Sequence, residues 1–358
     1  MQTIISATFK NTPTDFIVTE QLCLDFDGCG EHLWLYVEKI NLNTHFVARL
    51  LADWAGIPIH DVGYSGMKDR HAQTFQWFSL RLPNKQPPQK PFNDIALKAL
   101  KPTEYLALLQ QHWHGKKLNR GTHAANHFTI TLTKVVGDKD AIEQQLTDII
   151  NHGVPNYVGE QRFGQDGNNL SQARAFFQKL LDNPKPYKPF KKDFERHGIL
   201  ISSARSHLFN EILTLRVADG TWNQAIDGDV FNLDGTGSIF TSKIDDAVIE
   251  RLKRHDIHPT ITLFGIGENK ASQSALAVEN AIFQDEKNSV LIKGLEKVKA
   301  KMLRRPTRLI VRNLSWKWKD DALTLSFVLP KGSFATVVLD AMVAHLHQPK
   351  PQHSPLRK

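Results

Sequence analysis

Strand-type alternation occupies both ends of this chain, and the segment between them reads differently. Glu31 to Glu38 (EHLWLYVE) sets Leu33, Leu35 and Val37 on one face and Trp34 and Tyr36 on the other. Thr74 to Leu82 and His127 to Val136 alternate in the same way. Helical spacing falls between and after these runs. Phe46, Val47, Leu50, Leu51 and Trp54 share a face before Gly56 and Pro58, and a second helix is predicted from about Lys139 to Asn151. After Pro306 the strands return: Leu309 to Trp318 and Leu323 to Leu329 pair through an Asp320–Asp321 turn, and a helix is predicted from about Phe334. The pattern is that of an α+β domain interrupted by an insertion.

The middle is looser. Asn183 to Lys192 (NPKPYKPFKK) and, earlier, Lys85 to Pro91 are proline-rich and read as exposed loops. Ser206 to Val217 reads as an amphipathic helix. Lys293 to Arg308 carries seven basic residues against Glu296 alone, which reads either as a phosphate-facing stripe or as a solvated helix face. Over the 358 residues, 45 Lys and Arg against 37 Asp and Glu give a net charge of +8, which favours a polyanionic partner.

Several classes are disfavoured. Cys23 and Cys29 are the two cysteines, too few for a four-cysteine zinc site, and they read as free thiols. No run approaches the roughly 20 apolar residues of a membrane helix. MQTIISATFK has no secretory pattern, so a cytoplasmic protein without a membrane partner is expected. There is no P-loop, no G-x-G-x-x-G opening a helix and no H-E-x-x-H. Asp227, Asp229 and Asp234 lack the spacing and closing glutamate of an EF-hand. No metal and no cofactor are expected.

The densest reactive cluster is Gly63 to His71 (GYSGMKDRH), where Asp69 stands between Lys68 and Arg70. A carboxylate there can serve as nucleophile or general base, with the neighbouring cations favouring its charged form. A structural turn is the competing reading. Aromatics beside polar groups form a second signal: Asp15–Phe16, Asn126–His127–Phe128 and Gly332–Ser333–Phe334. A ring can stack on an unpaired base while an amide reads its edge. Phe128 shares a face with Ile130 and Leu132, so a core role competes with stacking there.

The strings GYSGMKDRHAQTFQWFSL, PNYVGEQRFG, SARSHLFNEIL and LPKGSFATVVL, with LYVEKINLNT before them, resemble the tRNA pseudouridine synthase D (TruD) family in this order. Each is modest alone; together they are specific, and they span nearly the whole chain. The resemblance implies a discontinuous pseudouridine synthase catalytic domain at 1–152 and 309–358, a mixed antiparallel sheet flanked by helices. An α/β TRUD domain is inserted at 153–308. It implies cofactor-free isomerisation of uridine to pseudouridine in tRNA, at uridine 13 of glutamate tRNA, by a protein from which nothing demands more than a monomer.

By motif position, Asp69 matches the catalytic aspartate. Phe16, Asn126 and Phe334 match contacts to the target nucleotide, and Lys10, Phe128, Arg162 and Phe163 match positions that line or support the site. Lys10, Lys68 or Arg70 is expected to keep the carboxylate charged. The Lys293–Arg308 stripe and the cluster Lys116, Lys117 and Arg120 are expected to face phosphates. Val158 departs from the family's frequent aromatic, and Cys29 lies in a loop usually richer in glycine and acids; neither removes a reactive group. A non-catalytic RNA-binding protein or chaperone on the same scaffold, and a metal-dependent hydrolase, are the competing functions.

Overall fold

The alternating segment His32–Ile40 is a strand covered on both faces in the computed structural model, which describes residues 2–93, 99–164 and 167–349. Leu33, Leu35 and Val37 join Val47, Leu51 and Trp54 of α1 (Thr44–Ala55) in one apolar cluster. Trp34 lies on the other face with Trp77 and Leu118, and Tyr36 packs at that cluster's margin. The helix begins where the Asn43 side chain accepts the Phe46 N–H at 2.7 Å, and it ends at Gly56 in the left-handed region, φ 64°. Leu51 is fully buried at this junction. Leu51→Ala is expected to destabilise by about 2–5 kcal/mol through the cavity it leaves. Denaturant titration checks this; a loss under about 1 kcal/mol would mean that the cluster closes over the gap.

The chain divides into two compact units, the first comprising Met1–Leu146, Val311–Ala335 and Met342–Lys358, the second Thr147–Ile310 and Thr336–Ala341. In the first, the strands are β1 (Ile4–Thr8), β2 (Phe16–Gln21), β3 (His32–Ile40), β4 (Val62–Tyr64), β5 (Gln73–Arg81), β6 (Tyr105–His114) and β7 (Ala125–Gly137). Three more follow the second unit: β14 (Arg312–Lys319), β15 (Ala322–Pro330) and β16 (Val343–His347). Among the described residues they form one mixed sheet in the order β14-β15-β7-β2-β5-β3-β6, with β1 on β7 and β16, and β4 on β5. The expected hairpin is present: Lys319 pairs with Ala322 around Asp320, whose φ is 56°. The central registers set the site. On β2 and β7, Phe16 faces Ile130, Val18 faces Phe128 and Glu20 faces Asn126, so these alternate residues share one side of the sheet.

The second unit holds a sheet in the order β10-β9-β11-β12, built from β9 (Val230–Leu233), β10 (Ile239–Thr241), β11 (Ile257–Leu263) and β12 (Leu303–Pro306). Its main core lies between α3 (Asn168–Leu181), α4 (Phe194–Ala218) and α7 (Ser289–Lys297), where Phe177, Leu208, Ile212 and Leu291 are buried. The predicted helix at Ser206–Val217 is the second half of α4. Of the expected loop, Asn183–Phe190 is irregular and largely exposed, and Lys191–Lys192 open the 3-10 turn Lys191–Asp193. The polar C-terminal tail falls largely on 350–358, outside the described residues.

The basic stripe is not one face. α7 ends at Lys297, Lys299 turns the chain at φ 55°, and the arginines that follow sit on or beside β12. Arg304 pairs with Glu279 at 2.9 Å, and Arg305 donates to Asn156 Oδ1 at 2.7 Å. Arg308 donates to His258 Nδ1 at 2.8 Å and to two carbonyls. Burial lowers the pKa of Arg305 and Arg308 to about 10. These arginines hold the unit together, which leaves Lys293, Lys299 and Lys301 exposed from the stripe.

Candidate active site

Asp69 sits on the loop between β4 and β5, its carboxylate 48% exposed. The loop is held from beneath by buried polar groups. Lys39, fully buried on β3, donates to the Asp69 carbonyl at 3.1 Å and to the Leu42 carbonyl at 2.7 Å. Gln76 donates to the Gly66 carbonyl at 2.6 Å and accepts from the Thr44 hydroxyl at 3.1 Å. Thr44 Oγ1 in turn accepts the Lys68 N–H at 3.0 Å. Three of these bonds fix the loop's backbone, at the Gly66 carbonyl, the Lys68 N–H and the Asp69 carbonyl, while the Asp69 side chain stays about half exposed. Burial pushes the pKa of Lys39 down to about 7, opposed by the Asp69 charge.

The ammonium that faces the Asp69 carboxylate is that of Lys10, at 3.8 Å. Lys10 has φ 57°, a left-handed conformation uncommon for a residue with a Cβ and frequent at functional sites. Its Nζ lies over the Phe16 ring, 4.2 Å from the centroid. Desolvation lowers the Lys10 pKa, and the neighbouring Asp69 charge partly restores it.

The two cations beside Asp69 in sequence point elsewhere, contrary to expectation. Lys68 reaches Glu20 Oε2 at 3.1 Å and the amide oxygen of Asn126. Arg70 donates to the Asn41 carbonyl at 3.2 Å and lies 3.7 Å from Glu104. A residue on an exposed loop alternates direction with its neighbours, so adjacency in sequence does not bring the charges together.

Phe16 and Phe128 belong to an aromatic stack. Their rings lie 6.1 Å apart at 24°, and Phe128 stacks in turn on Phe327 at 5.6 Å. Both are buried, so Phe16 is a floor beneath Lys10 and Phe128 is core, while Phe334 is 39% exposed. Leu329 stands opposite Asn126, so the Lys331–Ser333 turn that carries Phe334 starts beside the strand end bearing Asn126. Lys331 anchors that turn by donating from Nζ to the Gly121 carbonyl at 2.8 Å, and Gly332 takes φ 82° within it.

The first unit thus brings together Lys10, Phe16, Lys68, Asp69 and Asn126. Arg162 and Phe163 lie in the second unit on the turn Glu160–Phe163. There the Arg162 carbonyl accepts from Ser203 at 2.8 Å, and Phe163 lines a cleft with Leu170 and His207. Sequence reasoning missed Glu20, Lys39, Ser65 and His123. The usable signal for Glu20 was its spacing of four from Phe16, which places it on the same face of a strand.

Over residues 2–172 and 165–342 the chain matches the family described as tRNA pseudouridine synthase D (TruD). It is 46% identical to the tRNA pseudouridine synthase D of Psychrobacter arcticus, covering 95% of this chain and 91% of that protein. It is 41% identical to the one from Hydrogenovibrio crunogenus, covering 93% and 92%. A crystal structure from Methanosarcina mazei bearing the TruD name superposes with a TM-score of 0.72 over 95% of this chain and 94% of that one; at 22% identity this speaks to the fold. The extent of these matches, running through the loop that carries Asp69, establishes that the chain belongs to the tRNA pseudouridine synthase D family.

Proposed function

We propose that this protein isomerises uridine to pseudouridine in tRNA, with uridine 13 of glutamate tRNA as its target. The first unit serves as the synthase domain and the second as the inserted TRUD domain. The observation that carries the reading is the exposed Asp69 carboxylate, on a loop fixed from below, with Lys10 at 3.8 Å above the Phe16 ring. The reaction breaks the bond from ribose C1′ to uracil N1 and forms one from C1′ to C5. C5 loses its hydrogen as a proton and N1 gains one, so the change is redox-neutral.

The target base first leaves its stack, at a cost of about a few kcal/mol. The exposed Phe334 offers a stacking surface for it, and the amide of Asn126 meets its polar edge. Asp69 acts as nucleophile at C1′ or C6, or as base on the C2′ hydrogen; each role needs a carboxylate oxygen against the nucleoside. Lys10 holds that carboxylate as an ion pair. The reaction runs in the cytoplasm, and one chain suffices.

Mapping pseudouridine in tRNA from cells with and without the protein tests this: one site in glutamate tRNA is expected to vanish, and an unchanged map would overturn the reading. Phosphate contacts are assigned to the exposed Lys116 and Arg120; Lys117 is instead tied to the His60 carbonyl at 2.5 Å. Reversing both exposed charges is expected to flatten the slope of log affinity against log salt by about one to two. An unchanged slope would remove them from the footprint.

A further inference from the structure

The side chain of Asn126 is held in one orientation. An ammonium can only donate, so the amide atom that Lys68 reaches is the oxygen. The amide nitrogen then faces His123 Nε2 at 3.4 Å, and because it too can only donate, Nε2 is the acceptor. The ring proton therefore sits on Nδ1, which donates to Ser65 Oγ at 2.5 Å; the same oxygen accepts the His123 backbone N–H at 2.8 Å. Burial, with the charges of Lys68 and Lys331, lowers the His123 pKa to about 4, in keeping with a neutral ring. Glu20 fixes the far end of the chain of contacts, 3.1 Å from Lys68. The oxygen of Asn126 is thus engaged by a cation and one amide hydrogen by an imidazole.

We infer that Asn126 turns its remaining N–H, rather than its carbonyl, toward the target base, and that Glu20, Lys68, Ser65 and His123 are positioning residues that set this polarity. The inference rests on the functional reading above. Its consequence is a preference for a base carbonyl over an amino group at that edge, as uracil offers and cytosine does not at the 4-position. Leaving a committed donor without an acceptor is a strong means of rejection.

Asn126→Asp tests the polarity, because aspartate keeps the oxygen that faces Lys68 and puts a second oxygen where both N–H groups stood. Single-turnover pseudouridine formation in a tRNA transcript is expected to fall about a hundredfold, with the melting temperature measured beside it. A rate within about threefold of wild type would overturn the inference, since an acceptor would then suffice. Should Asn126→Asp lower the melting temperature, His123 carries the test. His123→Ala is expected to lower kcat about tenfold at constant KM, and His123→Gln, which keeps an acceptor near Nε2, to restore it. Equal rates for those two variants would overturn the inference. Wild-type protein forming no pseudouridine would instead overturn the functional reading, and this inference with it.

Discussion

Replacing Asp69 by alanine is expected to lower pseudouridine formation on the order of a thousandfold or more, because the group that attacks or deprotonates the nucleoside is gone. Binding of tRNA is expected to stay within a few fold. The carboxylate is about half exposed and the Asp69 backbone is held by Lys39 through its carbonyl, so truncation beyond Cβ leaves the loop in place. The partner left behind is Lys10, which remains over the Phe16 ring. Its pKa is already lowered by burial and loses the supporting charge of Asp69, so it deprotonates more readily in the variant. Parallel loss of rate and affinity would make Asp69 a binding residue and not a catalytic one.

The second large effect concerns stability. Glu20 is buried and its ion pair with Lys68 is at 3.1 Å, with both side chains almost wholly out of water. Lys68→Met leaves that carboxyl without its cation, and a loss of about 3–5 kcal/mol is expected. Desolvation raises the Glu20 pKa, and the Lys68 charge holds it down; without Lys68 it rises further. A carboxyl with a raised folded-state pKa binds more protons when folded, so stability falls as pH rises from the unfolded value toward the folded one. The deficit of Lys68→Met is therefore expected to be smaller at pH 5 than at pH 7.5 in urea titrations. Replacing Glu20 and Lys68 together by methionine is expected to recover much of the loss, because no uncompensated charge remains. A deficit independent of pH, or a double variant no better than the single, would contradict this account of the pair.

The apolar framework was legible because its periodicities are clean: β3, β5, β7, the β14–β15 hairpin and α1 all lie where alternation or helical spacing placed them. β2 and β6 were not. β2 is short and carries buried Glu20 where an apolar residue would have marked the inner face. β6 is an edge strand with Gln110, Gln111 and His112 exposed, so its pattern lacks contrast. The reactive loop was legible through Asp69 and its glycines. The polar groups beneath it were not, because the bonds that join Lys39, Thr44 and Gln76 to the loop and to each other span 10 to 32 residues of chain and form only on folding. The Lys293–Arg308 stripe failed for the converse reason. A charge run spanning the end of a helix and a strand changes direction within itself, and pairing with Glu279, Asn156 and His258 is invisible at sequence separations this large.

Tritium release from tRNA carrying [5-3H]uridine tests the central claim most directly, since joining C5 to the ribose expels that hydrogen. Purified protein alone is expected to release one equivalent per tRNA acted upon, and Asp69→Ala none above background. Wild-type protein that releases no tritium, or an Asp69→Ala variant that releases it at the wild-type rate, would contradict the account.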